Sequence, residues 1–109
     1  MHRLIALWSH PEDPEGFERH YNNTHMELVS KLPGLVAASS AKIANSDHYR
    51  LATLDFESME ALGGAMSSES GKAVAQDSSE LEKKYGTKLT ILTAELDHSI
   101  EGTHVPTLT

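Results

Sequence analysis

The sequence predicts an α+β domain in which two helices cover one face of a four-stranded antiparallel sheet. The 109 residues divide into short apolar runs and amphipathic stretches in the order strand, helix, strand, strand, helix, strand. The connections are short, and right-handed crossovers then bring both helices to the same side of the sheet. This is the ferredoxin-like βαββαβ arrangement, and the length predicts one such domain and no second one.

The first strand is predicted over residues 3–8, an apolar run that ends at the turn-forming segment 9–11. Because alternate residues of a strand point to opposite faces, both faces of this strand would be apolar. One face would carry Leu4, Ala6 and Trp8, and the other Ile5 and Leu7. Both faces should then be covered, and we expect the face without helices to meet a second copy of the chain in a homodimer.

An amphipathic helix is predicted between two prolines, over residues 13–34. Asp13 can cap the first turn, Pro14 suits the first helical position, and the pair at 33–34 ends the helix. At about 100° per residue, its apolar and aromatic side chains form one inward stripe. This stripe consists of Phe17, Tyr21, Thr24, Leu28 and Leu32.

His20, Tyr21 and His25 lie at the centre of this helix and are the candidate catalytic residues. His25 falls just inside the inward stripe, His20 falls at its opposite margin, and Met26 lies on the polar face. Histidine is the side chain best suited to take and give a proton near neutral pH, and Tyr21 and His25 are neighbours at four residues apart. In the structural alternative, Tyr21 and His25 are amphipathic residues at the edge of the core and His20 is solvated.

The middle of the chain predicts a β-hairpin. Its strands are expected over residues 35–43 and 49–56, on either side of the turn-forming segment Asn45–Asp47.

A second helical region follows the hairpin. Ser58 can cap it, an interruption is expected near residues 67–68, and Gly86 lies beyond its end. The serines within 58–79 and the charged run 80–84 are interpreted as caps and solvated helix surface.

The last strand is predicted over residues 89–96. The domain would then span residues 1–97. Residues 98–109 form a polar tail that is expected to dock on the dimer.

Composition excludes several classes of function. The chain has 16 acidic and 9 basic residues, a net charge of -7 and no basic run, so nucleic acid is not an expected partner. It has no cysteine, which excludes disulfides and thiol nucleophiles. The apolar run near the N-terminus is too short for a secretory core segment or a membrane span, and a cytoplasmic protein with no membrane partner is expected.

No metal or cofactor site is predicted. Two histidines five residues apart on a helix diverge by about 140°, which does not suit one metal ion. Gly63 and Gly64 lack the spacing of a phosphate-binding loop, and no nucleophile elbow is present. The expected partner is a small apolar organic molecule. The candidate substrate-binding residues are Trp8, Phe17, Leu28, His48 and Tyr49.

Several motifs together resemble the EthD family. They are the segment Pro-Glu-Asp-Pro-Glu-Gly-Phe-Glu-Arg-His-Tyr at 11–21, His25 five residues after His20, the Lys-Leu-Pro-Gly segment at 31–34, and the strand 49–56 before Ser-Met-Glu-Ala-Leu at 58–62. The resemblance covers most of the chain up to about Leu96. It implies the dimeric α/β barrel fold, in which two ferredoxin-like units join through their sheets. One departure is Met26, where family members often have proline.

The resemblance also implies a range of functions. The family takes its name from a protein linked to ether degradation beside a cytochrome P450 system, and related proteins of the superfamily include lactone isomerases, polyketide cyclases and haem-degrading monooxygenases. In similar lactone isomerases a histidine at the position of His20 is implicated in proton transfer, whereas the helical stripe favours His25.

Three functions follow from these observations. The first is a small cofactor-independent enzyme that uses histidine proton transfer for isomerisation, cyclisation or related lyase chemistry in a catabolic or secondary-metabolite pathway. The second is a non-catalytic binding or accessory protein that carries a hydrophobic metabolite for an oxidative degradation system. The third is a haem-dependent monooxygenase, which only the superfamily resemblance suggests.

Overall fold

The computed structural model describes residues 1–100, which form a ferredoxin-like α+β fold as predicted. The strands are β1 (His2–Ser9), β2 (Ala37–Lys42), β3 (His48–Phe56) and β4 (Leu89–Glu95). The helices are α1 (Pro14–His20), α2 (Met26–Ser30), α3 (Met59–Ser67) and α4 (Glu69–Tyr85), and a π-helical turn, Tyr21–His25, joins α1 to α2. The strand order is β2-β3-β1-β4, with every neighbouring pair antiparallel. The predicted tail at 98–109 lies almost entirely outside the described residues.

Alternation along the two central strands places the core between the sheet and the helices. Every second residue of β1 and β3 is buried on this side. The main cluster contains Leu4, Ala6, Ala52, Leu54 and Phe56 from the strands, Val29, Leu62, Ala65 and Val74 from the helices, and Leu32 from the segment after α2. A second cluster joins Trp8 to Phe17, Tyr21 and Leu81.

The opposite face of the sheet is also apolar, as the two-sided pattern of β1 predicts. Ile5 pairs with Thr53 on one side and Leu92 on the other, and Leu7 pairs with Leu51. No described element of the chain packs over these side chains, and Leu92 is 48% exposed. These side chains therefore form a partly exposed apolar patch on the open face of the sheet.

The hairpin between β2 and β3 follows the predicted turn. Asn45 adopts a positive φ of 55°, a conformation that asparagine tolerates better than most residues. Both strands lie within one or two residues of their predicted limits.

The segment predicted as one regular helix contains a wide turn. Asp13 caps α1 as expected, since its carboxylate accepts a hydrogen bond from the Gly16 N–H at 3.1 Å. The last helical residue is Ser30, and Gly34 adopts its left-handed conformation, with φ of 75°, only four residues later. Between these ends, the Met26 N–H donates to the Tyr21 carbonyl oxygen, which is the i to i+5 bond of a π turn.

The wide turn corrects two predictions. Thr24, expected in the inward stripe, is exposed, and Met26, expected on the polar face, is half-buried against both core clusters. In a regular helix, a four-residue step overshoots a full turn by about 40°. The π turn reduces the rotation per residue, so His25 lies beneath Tyr21 and Val29 follows it into the core.

The second helical region is interrupted where predicted. The Ser58 hydroxyl caps α3 by accepting from the Ala61 N–H, and the Ser68 hydroxyl caps α4 by accepting from the Gly71 N–H. Ser68 itself is extended and forms the corner between the two helices. Gly71 is buried at this corner, where an added Cβ would collide with the carbonyl oxygens of Ala65 and Met66.

We expect Gly71→Ala to lower the free energy of unfolding by about 1–3 kcal/mol, because the new methyl group meets backbone atoms that cannot rotate away. Gly63→Ala is the matched control within α3, where an added Cβ has open space. That variant should be about 0.5–1 kcal/mol more stable than the native protein, because alanine favours a helix interior. Urea denaturation followed by circular dichroism measures both, and equal effects of the two substitutions would contradict the prediction.

Candidate functional site

Asp77 on α4 holds both histidines of the first helical segment. Its Oδ1 lies 2.7 Å from His20 Nε2, and its Oδ2 lies 2.8 Å from His25 Nδ1. The His25 and Asp77 side chains are 6% and 11% exposed, so this contact is largely shielded from water. His20 is further held by Tyr85, whose hydroxyl oxygen lies 3.2 Å from His20 Nδ1.

This geometry selects one tautomer of neutral His25. An ionised carboxylate only accepts hydrogen bonds, so the Nδ1 atom of His25 carries the hydrogen. The lone pair then belongs to Nε2, which has no hydrogen-bond partner within residues 1–100. A carboxylate that fixes the tautomer and the ring orientation of histidine is a recurrent way of preparing a general base.

Burial controls the charge of His25. Removal from water lowers the pKa of the ring below its ordinary value of 6.5, and the nearby His20 adds to this effect. The hydrogen bond and charge of Asp77 oppose the shift without cancelling it. His25 is therefore neutral near pH 7, the form in which Nε2 can accept a proton.

A cavity of about 370 Å³ opens beside His25, between the sheet and the helices. It lies at the lower end of the size range of small-molecule sites, roughly 300–1,000 Å³. The lining is mostly apolar. The sheet contributes Leu4, Ala6, Trp8, Ala52, Leu54, Leu89 and Ile91, and the helical segments contribute Tyr21, His25, Met26, Val29, Met66, Val74, Ala75, Ser78, Ser79 and Glu82.

Aromatic rings fix His25 on two sides. Tyr21 stacks on the imidazole with ring centroids 5.3 Å apart, and Trp8 meets it edge-on at 5.8 Å. Phe17 in turn stacks with Tyr21, with ring centroids 5.4 Å apart. Together with Asp77, these contacts leave the imidazole little freedom to rotate.

A buried polar network lies behind Tyr21. Arg50 donates to both carboxylate oxygens of Glu18, at 2.8 and 3.0 Å, and its guanidinium lies 4.5 Å from the centre of the Tyr21 ring. Ser40 Oγ accepts from Arg50 and lies 2.8 Å from the Tyr21 hydroxyl. The Tyr21 ring thus faces the cavity while its hydroxyl is held in the network, and burial raises the pKa of this hydroxyl.

Glu18 also binds Tyr49. The Tyr49 hydroxyl donates to Glu18 Oε2 at 2.7 Å, and burial together with this hydrogen bond raises the pKa of Tyr49 to about 12. Burial alone would raise the pKa of Glu18, but the hydrogen bonds from Tyr49 and Arg50 lower it below its usual range.

The structure brings three of the predicted site residues to the cavity, namely Trp8, Tyr21 and His25. His20 contacts Asp77 but does not line the cavity. The other four predicted residues, Phe17, Leu28, His48 and Tyr49, also lie outside it. Phe17 is fully buried in the second core cluster, Leu28 packs against the main one, and His48 is exposed at the start of β3.

Sequence reasoning missed three residues of α4 that matter here. Asp77 contacts both histidines, and Ser78 and Glu82 line the cavity. The prediction of a solvated helix surface is therefore wrong for Ser78, which is buried. It is also wrong for Glu82, whose carboxylate accepts a hydrogen bond from the Leu89 N–H at 2.9 Å. The available signal was helical spacing, because Ser78 falls on one face with Val74 and Leu81.

Within residues 1–100, no three histidine or acidic side chains are arranged to hold a metal ion. No helix of this part of the chain is long and apolar enough to cross a membrane.

These features define the class of protein as a ferredoxin-like α+β domain with an apolar cavity between its sheet and its helices. The family model of the EthD domain matches residues 9–81. An uncharacterized 11.0 kDa protein in the thcB-thcC intergenic region of Rhodococcus erythropolis is 34% identical over 82 residues, covering 71% of this chain and 80% of the relative. The chain belongs to the EthD family.

Solved structures agree with this assignment. An ethyl tert-butyl ether D (EthD) family protein from Bacillus halodurans is 34% identical, with a TM-score of 0.81 over 88% of this chain and 98% of the other. SnoaB, a cofactor-independent oxygenase from Streptomyces nogalater, shares the fold with a TM-score of 0.71 at 12% identity, covering 93% of this chain and 97% of its own.

We expect His25 to titrate below 6.5, and Asp77→Asn to lower its pKa further, because the substitution removes the charge that favours the imidazolium. Because its pKa is lower in the folded protein, His25 binds fewer protons there than in the unfolded chain, and the free energy of unfolding falls as the pH drops below about 6.5. Above that pH His25 is mostly neutral in both states and has no such effect.

NMR titration of the ring protons measures this pKa, with His25→Gln for assignment. Glu80→Gln makes the same charge change at an exposed position of α4 and should leave His25 unchanged. A native His25 that titrates at 6.5 or above, or a rise in the Asp77→Asn protein, would show that burial does not control this group.

Proposed function

We propose that this protein is a small enzyme in which His25 acts as the general base on a compact, largely apolar molecule bound in the cavity. One observation carries the proposal: His25 lines an apolar cavity while Asp77 holds its Nδ1, which leaves Nε2 as the ring nitrogen that can act on a bound molecule. Proton abstraction next to a carbonyl group, leading to isomerisation or cyclisation, is the chemistry such a base supports without a cofactor.

The two histidines have different roles in this proposal. His25 reaches the substrate, whereas His20 is a positioning residue that holds the second oxygen of Asp77. An imidazolium formed on His25 would be stabilised by the carboxylate it already contacts. Tyr21 orients the imidazole by stacking, because its hydroxyl is engaged with Ser40.

The main alternative is a non-catalytic carrier for a hydrophobic metabolite, which the mostly apolar lining also supports. In that case His25 contributes polarity to the cavity without proton transfer. A haem-dependent activity rests only on superfamily resemblance, and a visible absorption spectrum recorded after haem addition tests it directly. A cytoplasmic location stays a prediction.

Proton transfer can be tested without knowing the natural substrate. Deuterium uptake from D2O by a panel of enolisable ketones and lactones, followed by NMR, reports a general base directly. We expect His25→Gln to slow exchange by about 100-fold or more, within the usual range for general-base catalysis. Asp77→Asn should slow it by about tenfold or more, as is common for groups that orient a reactive side chain.

His98→Gln is the control, since it removes an exposed histidine far along the chain from the site. Circular dichroism establishes that each variant is folded. Exchange that survives His25→Gln would contradict the assigned base, and saturable binding of a panel member without exchange would favour the carrier.

We also propose that the protein is a homodimer formed through the open face of its sheet. An apolar surface there spans β3, β1 and the edge strand β4, and it consists of Ile5, Leu7, Leu51 and Leu92. Burial of such a surface is worth roughly 25 cal/mol per Å² before the cost of association.

We expect Leu92→Glu to produce a monomer, because the new charge would be buried without a partner at the interface. Met59→Glu places the same charge at another exposed apolar residue, on α3, and should leave the dimer intact. Sedimentation equilibrium measures the mass of each protein, and a native protein that stays monomeric across the concentration range would refute the proposed interface.

A further inference from the structure

The charges around the cavity restrict what it can bind. Within residues 1–100, no lysine or arginine lines it, and Glu82 is the only acidic residue that does. Arg50 is the most deeply buried cation near this part of the fold, and it is already bound to Glu18 and stacked on the outer side of Tyr21.

An anionic ligand would therefore be poorly accommodated. A carboxylate or phosphate placed in this cavity would lose its water without gaining a cation, and it would lie near the negative charge of Glu82. The net charge of -7 opposes its approach as well. An uncharged ligand avoids both penalties.

The polar atom that His25 offers restricts the ligand further. Since Nδ1 donates to Asp77, the free Nε2 is a hydrogen-bond acceptor. A complementary ligand must present a donor at this point and hydrocarbon elsewhere, because Trp8, Val29 and Leu54 form the walls.

We infer that the cavity takes an uncharged, largely hydrocarbon molecule that presents one hydroxyl donor, phenolic or enolic, to His25 Nε2, and that Glu82 excludes anionic analogues. This deepens the proposed function and rests on its placement of His25 at the substrate. A phenol or enol is also the group whose proton a neutral imidazole can accept.

Three probes of one shape test this inference by isothermal titration calorimetry near neutral pH. They are 2-naphthol, which offers the hydroxyl, 2-methoxynaphthalene, which lacks the donor, and 2-naphthoate, which is anionic. We expect 2-naphthol to bind about tenfold or more tightly than either of the others, the usual cost of an unmatched polar atom or an unpaired charge.

Two variants and one control assign the selectivity among the three probes to individual residues. Glu82→Gln keeps an oxygen that can accept from the Leu89 N–H but removes the charge, and it should strengthen 2-naphthoate binding several-fold while 2-naphthol stays unchanged. Glu80→Gln, an exposed charge change on the same helix, should alter neither. His25→Phe should bring the affinities of 2-naphthol and 2-methoxynaphthalene together by removing the acceptor.

The inference is overturned if 2-naphthol shows no saturable binding, or if 2-naphthoate binds the native protein as tightly as 2-naphthol. It is also overturned if Glu82→Gln leaves the ratio of the 2-naphthol and 2-naphthoate affinities unchanged. These results are separate from those for proton transfer. His25-dependent exchange of an anionic substrate would support the proposed base and refute this ligand class. Selective 2-naphthol binding without any deuterium exchange would support the ligand class and refute the proposed base.

Discussion

The arrangement of the site depends on two hydrogen bonds made by the carboxylate of Asp77. Asp77 lies on α4, and its carboxylate binds His20 through one oxygen and His25, in the π-helical turn, through the other. Hydrogen bonds to a charged group contribute roughly 1.5–3 kcal/mol each, more than neutral ones. These two hydrogen bonds therefore hold together the helical segments that line the cavity, and they fix the orientation of the His25 imidazole.

One polar network lies behind the aromatic rings of Trp8, Phe17 and Tyr21. Glu18 binds both Arg50 and Tyr49 beyond Tyr21, while Leu4, Ala6 and Val29 line the cavity. This separation leaves few polar atoms facing a ligand. The consequence is a cavity with a low effective dielectric, in which one unpaired nitrogen would have a large influence on any molecule that entered.

The fold was predictable because its signals are local. The apolar run of β1 and the caps Asp13 and Ser58 define elements from neighbouring residues alone. The site was only partly predictable. His25 was identified from helical spacing, but its contact with Asp77 joins residues 52 positions apart, and no local pattern encodes such a pairing. Thr24 and Met26 were misplaced because the width of a helical turn is set by packing against the sheet.

The π-helical turn also bears on how such a site arises. A π turn holds one residue more than the α turn it replaces, and its two flanking helices can keep their own packing when that residue is lost. Only the stretch Tyr21–His25 would then change its geometry, and with it the aim of the imidazole. A change of one residue in this turn would therefore redirect the His25 imidazole while the sheet and the flanking helices kept their packing.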